Sequence, residues 1–218
     1  MKRAKNKSIK SGFFLTLEGI DGVGKSTLFK KLNDYFIDQG YSPVLSREPG
    51  GTLLGEKLRR LLAQTPMQPW SEVFLLEASR TENTIENILP ALNQKKLVIC
   101  DRFTDSTLAY QGGGRQLSLN HLQNLNDLAT SKLKPDLTIL LDSHPEKSLD
   151  RAKNPNRIEK EGIEFQKRAR KVYLKQAKMN PGRFFLIDVS EHNAQAVFEI
   201  ARDQILKKMK RFHVTKEK

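Results

Sequence analysis

Five short apolar runs alternate with longer amphipathic stretches, and this alternation restricts the fold more than any other feature of the chain. The runs lie at 13–17, 43–45, 97–100, 137–141 and 183–187. Near-continuous apolar runs are typical of strands that are buried on both faces, as in a parallel sheet. Helical patterns cover 25–39, about 52–64, 71–93, 118–130, 146–153, 163–179 and 192–209. Alternating strands and helices predict an α/β fold with helices on both faces of a parallel sheet.

The length and the charge distribution indicate one domain with two basic tails. The chain has 218 residues and a net charge of +13, and no composition break marks a second domain. Residues 1–10 carry five basic residues and no acid, while residues 207–218 carry six basic residues and one acid. We therefore expect a single domain over 13–209, with tails at 1–12 and 210–218. Such tails favour solubility and at most non-specific contact with nucleic acid at low salt.

Cysteine content and hydropathy exclude several classes of protein. Cys100 is the only cysteine, so an intrachain disulfide framework and a zinc site of several thiolates are both excluded. No apolar run approaches the roughly 18–20 residues that a membrane-spanning helix needs. No apolar segment of signal-peptide length follows the basic start. We therefore expect a cytoplasmic protein with no membrane partner.

One motif predicts binding of a nucleotide. The segment from Gly19 to Ser26 reads GIDGVGKS and matches the phosphate-binding pattern G-x-x-x-x-G-K-[ST], between a predicted strand and a predicted helix. Its glycines let backbone N–H groups surround phosphate oxygens, next to the positive end of the helix dipole. Lys25 supplies a charge for the β- and γ-phosphates, and the Ser26 hydroxyl is a hard ligand for Mg²⁺.

The ends of the other predicted strands suggest a second phosphate. In open α/β sheets, ligands bind at the carboxyl ends of the strands, where Asp101 and Arg102 follow one apolar run and Arg47 follows another. An acid next to an arginine suits a site that holds both a metal ion and a second phosphate. The phosphate loop alone does not identify the activity, and no Asn-Lys-x-Asp motif supports a GTPase. Two interpretations stay open here: a kinase, or a nucleotide-dependent protein that docks on nucleic acid without needing Arg47 and Arg102 as a clamp.

Several segments resemble bacterial thymidylate kinases. They are the phosphate loop, REPGGT at 47–52, DR at 101–102, STLAYQGGG at 106–114 and PDLT at 135–138. The resemblance runs from about residue 13 to about residue 208. It implies a P-loop NTPase-type three-layer fold with a five-stranded parallel sheet of order 2-3-1-4-5. It also implies Mg²⁺-dependent transfer of the γ-phosphoryl group of ATP to dTMP, and a homodimer. A kinase for another nucleoside monophosphate or a deoxynucleoside is the nearest alternative.

The resemblance further implies roles for individual residues. The residues that it assigns to ATP are Gly19, Ile20, Asp21, Gly22, Val23, Gly24, Lys25, Ser26 and Thr27. Ser26 and, through water, Asp101 would hold the metal ion. The residues that it assigns to dTMP are Arg47, Leu76, Arg80, Arg102, Ser106, Tyr110 and Gln111.

Within that set, the roles differ. Arg47 and Arg102 would fix the acceptor phosphate, Arg80 would donate to a thymine carbonyl, and Tyr110 would lie under the sugar and disfavour a ribose 2′-hydroxyl. Ser106 and Gln111 would line the nucleoside pocket. The catalytic set would contain Lys25, Asp21, Arg102 and the lid residues Arg157, Arg151 and Lys153.

One position departs from the family pattern. Four residues before the base-reading arginine, the family places a phenylalanine that stacks on thymine, whereas this chain has Leu76. A lost base–aromatic stack costs about 1–3 kcal/mol, so we expect weaker binding of dTMP or a looser choice of base.

The variable loop positions 20–23 contain no basic residue, but the segment near 151–163 does. The chain therefore resembles members whose charges lie in a lid, with Arg157 the best match to the catalytic position and Arg151 and Lys153 weaker candidates.

Overall fold

The computed structural model describes residues 9, 11–149, 157 and 161–215. Five parallel strands form one sheet of order β2-β3-β1-β4-β5. In chain order they are β1 Phe13–Glu18, β2 Val44–Arg47, β3 Leu97–Asp101, β4 Leu137–Asp142 and β5 Phe184–Asp188. The expected number, direction and order of the strands are confirmed. Each strand ends one or two residues later than its apolar run, because the polar residue after the run still pairs with its neighbour.

Nine α-helices lie within the described ranges. They are α1 Lys25–Asp38, α2 Leu53–Gln64, α3 Pro69–Asn83, α4 Leu89–Asn93, α5 Thr104–Thr107, α6 Leu119–Ala129, α7 Pro145–Leu149, α8 Ile163–Met179 and α9 Ala194–Thr215. Two π-helical segments, Thr84–Ile88 and Leu108–Gly114, continue α3 and α5. The predicted helix over 71–93 is therefore three consecutive segments. No helical pattern predicted the turns at 104–114, because this stretch ends in three glycines.

Alternate residues of the central strand pack on opposite faces of the sheet. Phe13, Leu15 and Leu17 belong to a large core with α1, α8 and α9, whereas Phe14 packs with Val98 and Cys100 of β3 on the other face. All six residues of β1 are buried. Since side chains in a strand alternate in direction, burial of both sets requires a helical layer on each side. The expected three-layer arrangement is confirmed.

The strand register collects polar residues at one edge of the sheet. Asp101 at the end of β3 lies beside Leu17 of β1 and Arg47 of β2. Asp142 at the end of β4 pairs in register with Asp188 of β5. The loops that follow these strands therefore meet at the same edge, as expected for the ligand-binding edge of a parallel sheet. Among the helices that the structure describes, none is long and apolar enough to cross a membrane.

Candidate active site

The phosphate loop joins β1 to α1 and encloses the side chain of Lys25. Gly22 and Gly24 have φ angles of 79° and 94°, and a Cβ atom at Gly22 would lie 2.0 Å from the Ser148 carbonyl oxygen. Only glycine fits that position, because the region is left-handed and a second backbone already fills the space. The Nζ atom of Lys25 donates to the carbonyl oxygens of Gly19 at 3.0 Å and Ile20 at 2.8 Å. The predicted ATP-binding residues therefore form one continuous loop and the first turn of α1.

Burial changes the acidity of the loop lysine. Desolvation, together with the nearby charge of Arg102, lowers the pKa of Lys25 to about 8. The carboxylates of Asp21, Asp101 and Glu18 act in the opposite direction. A phosphate group in the loop would add negative charge and raise the pKa of Lys25 again. Protonation of this lysine therefore favours binding of an anion in the loop.

The two residues predicted to hold Mg²⁺ fit that ion. Asp101 ends β3 close enough to Lys25 to affect its pKa, and its Oδ1 atom is buried with no hydrogen-bond partner among the described residues. A buried carboxylate oxygen that lacks a partner is costly unless something binds it. Ser26 is exposed at the start of α1. Within the ranges that the structure covers, no group of three or more His, Cys, Asp and Glu residues is arranged for a metal. This suits Mg²⁺, which usually keeps several waters and binds nucleotide phosphates.

A cleft of about 860 Å³ opens beside the loop. Six of the seven residues predicted to bind dTMP line it, together with Asp21. The six are Leu76, Arg80, Arg102, Ser106, Tyr110 and Gln111. Six lining residues were not predicted: Glu48, Pro49, Arg59, Leu62, Ala63 and Thr107. The cleft combines charged and apolar side chains and lies against the phosphate loop.

A cluster of Arg102, Asp21 and Tyr110 forms the wall between the loop and the cleft. The Nη2 atom of Arg102 donates to Asp21 Oδ1 at 2.5 Å, and the Tyr110 hydroxyl donates to Asp21 Oδ2 at 2.9 Å. The guanidinium lies 4.8 Å from the centre of the Tyr110 ring, in a cation–π arrangement. Arg102 has a φ of 70°, a conformation that non-glycine residues seldom adopt. Such strain is maintained where a side chain must point in one direction, here into the cleft.

Electrostatics keep this cluster charged. Burial acts to raise the pKa of Asp21, but the charges of Arg102 and Lys25 and the hydrogen bonds from Tyr110 and Gln166 hold it below its usual value. Arg102 Nη1 also donates to the carbonyl oxygen of Gly19 in the phosphate loop at 3.2 Å. Both terminal nitrogens of Arg102 therefore contact the phosphate loop, at Gly19 and at Asp21, and the side chain borders the cleft, which is the position needed between two phosphates.

Beneath this cluster, Glu18 holds the surrounding hydroxyl groups. The carboxylate is fully buried and accepts from Ser106 Oγ at 2.6 Å, from the Tyr173 hydroxyl at 2.8 Å and from the Phe103 backbone N–H at 2.8 Å. Burial, with the nearby charge of Asp105, raises the pKa of Glu18 to about 7. Ser106 lines the cleft as predicted, and its hydroxyl proton is already committed to Glu18.

Arg80 lies at the inner end of the cleft within a buried polar network. Its Nε atom donates to Glu48 Oε2 at 2.7 Å, and its Nη1 atom donates to Glu77 Oε1 and Asn126 Oδ1, both at 2.6 Å. Nη2 donates to the Phe103 carbonyl oxygen at 3.1 Å. Since Nη2 carries two N–H groups and makes this one bond within the part of the chain described, one donor is left for a ligand. This agrees with the predicted reading of a thymine carbonyl.

Arg47, which is predicted to fix the acceptor phosphate, pairs with a carboxylate of α2. Its guanidinium forms a bidentate pair with Glu56 in the first turn of α2, at 3.1 and 2.9 Å, and it is not among the residues that line the cleft. Arg59, three residues after Glu56 on α2, lines the cleft and donates to the Pro49 carbonyl oxygen at 2.9 Å. Burial and the charge of Arg47 lower the pKa of Arg59, which marks a concentration of positive charge suited to a phosphate. Arg59 is therefore a guanidinium of the cleft in addition to Arg102 and Arg80.

The lid residue Arg157 is held by residues of α2 and α3. Its Nη2 atom donates to Glu72 Oε2 at 2.6 Å, and its Nε atom donates to the Leu62 carbonyl oxygen at 3.0 Å. Both partners lie on the side of the cleft formed by α2 and α3. The structure thus places Arg157 against α2 and α3, in contact with the cleft residue Leu62. The other two predicted lid residues, Arg151 and Lys153, lie outside the described residues.

One signal could have revealed some of the residues that the sequence interpretation missed. Arg59 lies three and four residues before Leu62 and Ala63, so all three share one face of a helix, and this face was readable from the spacing. Gln166 reaches Asp21 from 145 residues away, at 3.1 Å, and Glu72 reaches Gln111 from α3. No local pattern marks either residue, because both depend on how helices pack around the cleft.

Comparisons with known proteins agree with this site. A family model described as thymidylate kinase matches residues 17–200. The chain is 43% identical over 199 residues to a thymidylate kinase of Desulfovibrio desulfuricans, covering 85% of this chain and 92% of that protein. It is 47% identical over 176 residues to one of a Synechococcus species, covering 80% and 86% respectively.

A solved structure supports the same assignment. The thymidylate kinase of Ehrlichia chaffeensis superimposes with a TM-score of 0.74 at 35% identity, over 90% of this chain and 99% of that chain. Both the sheet order and the phosphate loop are those of a P-loop NTPase fold. These findings favour the kinase interpretation over a nucleotide-dependent nucleic-acid-binding protein. The chain belongs to the thymidylate kinase family, a group of nucleoside monophosphate kinases.

Proposed function

We propose that this chain transfers the γ-phosphoryl group of ATP to dTMP, giving ADP and dTDP, and that the residues described above perform the transfer. The observation that carries the proposal is Arg102, which donates to the phosphate loop through Gly19 while lining the neighbouring cleft. A nucleotide-hydrolysing switch needs one phosphate site. Two adjacent sites that share one arginine are what transfer between two nucleotides requires.

On the donor side, the loop and Lys25 would hold the phosphates of ATP. Backbone N–H groups of the loop face the anion, and the Lys25 ammonium, now bonded to two loop carbonyls, is placed to exchange them for phosphate oxygens. Ser26 and Asp101 would hold Mg²⁺, and the free Oδ1 atom of Asp101 supports this assignment. When bound, Mg²⁺ neutralises charge on the β- and γ-phosphates.

On the acceptor side, Arg102 and Arg59 would fix the phosphate of dTMP. A guanidinium binds phosphate through two parallel hydrogen bonds, and this fixes the angle at which the acceptor oxygen meets the donor phosphorus. Asp21 holds Arg102 and the Tyr110 hydroxyl, so it orients the clamp and lies next to the sugar site. No general base is required, because an oxygen of a phosphate monoester is already anionic at neutral pH.

We assign the lid residues to two different roles. Arg157 is engaged by Glu72 and Leu62 beside the acceptor cleft. We therefore assign Arg151 and Lys153 as the lid cations for the transferred phosphoryl group. A well-placed arginine that stabilises the charge of this group can raise the rate of transfer by 10³–10⁵. Closure of the lid would also exclude water, which otherwise competes as acceptor.

The direct test is a panel of acceptors. ADP formation from ATP and Mg²⁺ is measured with dTMP, dUMP, UMP, CMP, AMP and thymidine in parallel. We expect turnover to require an acceptor and to be fastest with dTMP, with the ribonucleotides disfavoured by Tyr110. A different best monophosphate would retain the kinase and replace the substrate. ADP formation that is equally fast without any acceptor would overturn the proposal.

We also propose a homodimer in the cytoplasm. Large apolar side chains are exposed on three neighbouring helices, namely Leu53 on α2, Phe74 on α3 and Leu128 on α6. Helix α3 packs against both α2 and α6, so these residues lie on the same side of the sheet. An exposed apolar area of this kind marks an interaction surface, and a second copy of the chain is the partner that the family resemblance implies. The buried free thiol of Cys100 suits a reducing compartment.

A further inference from the structure

Glu72 is a fully buried carboxylate that the mechanism above does not use. It lies in the first turn of α3 at the edge of the cleft. Its Oε1 atom accepts from Gln111 Nε2 at 2.8 Å, and its Oε2 atom accepts from Arg157 Nη2 at 2.6 Å and from Arg115 Nη2 at 3.1 Å. A buried carboxylate is expensive to maintain unless it is paired, and three partners, Gln111, Arg115 and Arg157, pair this one. Such a group has a task beyond filling space.

The contact with Gln111 fixes which end of that amide faces the cleft. An ionised carboxylate only accepts hydrogen bonds, so the NH₂ group of Gln111 must point to Glu72. Gln111 lines the cleft, and its Oε1 atom makes no hydrogen bond with any residue that the structure describes. The end of the amide left for a ligand is therefore an acceptor. Without Glu72, rotation by 180° about the last side-chain bond would present a donor instead at little cost.

Arginines keep Glu72 ionised. Burial acts to raise the pKa of Glu72, but hydrogen bonds from Gln111, Arg157 and Arg115 hold it below its usual value. Arg157 is the lid residue and also bonds the Leu62 carbonyl oxygen, beside the cleft. Arg115 is fixed in turn by Glu161 at 2.5 Å, just before α8. The acceptor character of Gln111 is thus enforced through a network that includes the end of the lid.

The chemistry of pyrimidines makes this orientation selective. Thymine and uracil carry a hydrogen on N3, which an acceptor can bind, whereas N3 of cytosine is itself an acceptor and would be repelled. We propose that Glu72 is a positioning residue that holds Gln111 with its carbonyl oxygen toward the base, so that the cleft selects pyrimidines protonated at N3 against cytosine. This inference rests on the proposed dTMP site. It assigns to Glu72 a part in base selection that is separate from Arg80, whose free N–H would read the carbonyl at position 4.

The test compares three nucleotides across a double-mutant cycle. Values of kcat/KM are measured for dTMP, dUMP and dCMP with the unaltered enzyme, Glu72→Gln, Gln111→Ala and the double variant. A glutamine at position 72 can donate as well as accept, so it no longer dictates the direction of the Gln111 amide. We expect the dTMP/dCMP ratio of kcat/KM to fall about tenfold in Glu72→Gln, mainly through KM. The reason is that a rotated Gln111 amide would present a donor to N3 of the base in place of an acceptor. The dTMP/dUMP ratio should stay within twofold, because both bases carry the N3 hydrogen.

Two controls separate positioning from general damage. Glu82→Gln makes the same change of charge on α3 at a residue that does not line the cleft, and it should leave both ratios unaltered. In the Gln111→Ala background, Glu72→Gln should cause no further change in the dTMP/dCMP ratio, because Glu72 acts through the missing amide. The KM for ATP and the melting temperature of each variant show that its fold and its donor site are retained.

Several results would overturn the inference. They are an unchanged dTMP/dCMP ratio in a folded Glu72→Gln enzyme, an equal loss for all three nucleotides, and an effect that persists in full without Gln111. If the unaltered enzyme turns over dCMP as well as dTMP, the inference fails while the kinase function stands. If it turns over no pyrimidine monophosphate, the proposed function fails and the inference fails with it.

Discussion

At the scale of single residues, carboxylates set the direction of the cations that would bind phosphate and base. Asp21 holds Arg102 in a partly buried position, and Glu48 with Glu77 holds Arg80 in a buried one, in each case at hydrogen-bond distance. Pairing lets a guanidinium stay charged inside the protein, and removing one partner would leave an uncompensated buried charge. These pairs form before any substrate arrives. The free-energy cost of orienting these cations is therefore met during folding and not at the catalytic step.

Leu76 lies in the cleft, so the departure from a stacking aromatic can be tested directly. We expect Leu76→Phe to lower the KM for dTMP about tenfold, because a base–aromatic stack contributes roughly 1–3 kcal/mol. The matched control is Leu76→Met, which keeps a similar volume without a ring and should change KM little. Steady-state kinetics with dTMP and dUMP measure both affinity and selectivity. An unaltered KM together with unaltered selectivity in Leu76→Phe would show that this position does not contact the base.

Glu18 gives a prediction about pH, because its pKa is raised to about 7 in the folded protein from 4.5. Between these values the folded form holds a proton that the unfolded form has lost. Stability from this group is therefore complete below about pH 4.5 and is lost as the pH rises toward 7. The loss is on the order of 3 kcal/mol. Glu18→Gln has no proton to release in this window and should lack that loss.

The measurement is urea unfolding of both proteins at pH 5, 6, 7 and 8. Other titrating groups are shared, so the difference between the two free energies of unfolding isolates Glu18. We expect the advantage of the unaltered protein over Glu18→Gln to shrink as the pH rises. Free energies that run parallel across the four pH values would mean that Glu18 does not take up a proton in this range.

At the scale of elements, the sequence predicted the strands well and one helical segment poorly. A buried parallel strand needs apolar residues on both faces, and this composition is visible without any knowledge of the fold. The segment 104–114 was not predicted as helical, since Gly112, Gly113 and Gly114 oppose a helix by local propensity. Packing decides the outcome there. A Cβ atom at Gly114 would lie 2.4 Å from the Phe165 ring, so α8 approaches too closely for any other residue.

The close approach of α8 to the three glycines predicts that one added methyl group lowers the stability of the fold. A Cβ atom at Gly113 would meet the Arg168 carbonyl oxygen at 2.7 Å and Val172 Cγ2 at 2.8 Å. Because a backbone oxygen in the middle of α8 cannot move aside, Gly113→Ala should lower the free energy of unfolding by about 1–3 kcal/mol. Gly182→Ala is the control, since nothing lies within 4 Å of a Cβ there, and it should change stability by less than about 0.5 kcal/mol. Chemical denaturation of the two variants gives the comparison, and equal stabilities would contradict the packing argument.

At the scale of the whole molecule, the sheet brings together residues that are far apart in the chain. Asp21 and Arg102 are separated by 81 positions, and Gln166 reaches the same carboxylate from another element altogether. A motif can predict Asp21 and Arg102 separately, because each follows a strand that ends at the same edge. It cannot predict Glu72 or the partner of Arg157, since these depend on how α2 and α3 pack beside that edge. The sequence therefore predicted the phosphate loop and six residues that line the cleft, out of seven assigned to dTMP. It did not predict the residues that hold these side chains in place.

The exposed apolar side chains on α2, α3 and α6 supply the last prediction. Leu128 is 79% exposed and Phe74 is 58% exposed, on helices that lie next to each other. If a second copy covers this surface, the protein sediments near 50 kDa, twice the chain mass of 24.9 kDa. Phe74→Glu combined with Leu128→Glu should shift it to the mass of one chain, because two carboxylates per chain would have to be buried without partners. Met179→Glu, at the exposed end of α8, makes the same kind of change elsewhere and should leave the dimer intact. A dimer that survives the double substitution would place the contact on another face of the molecule.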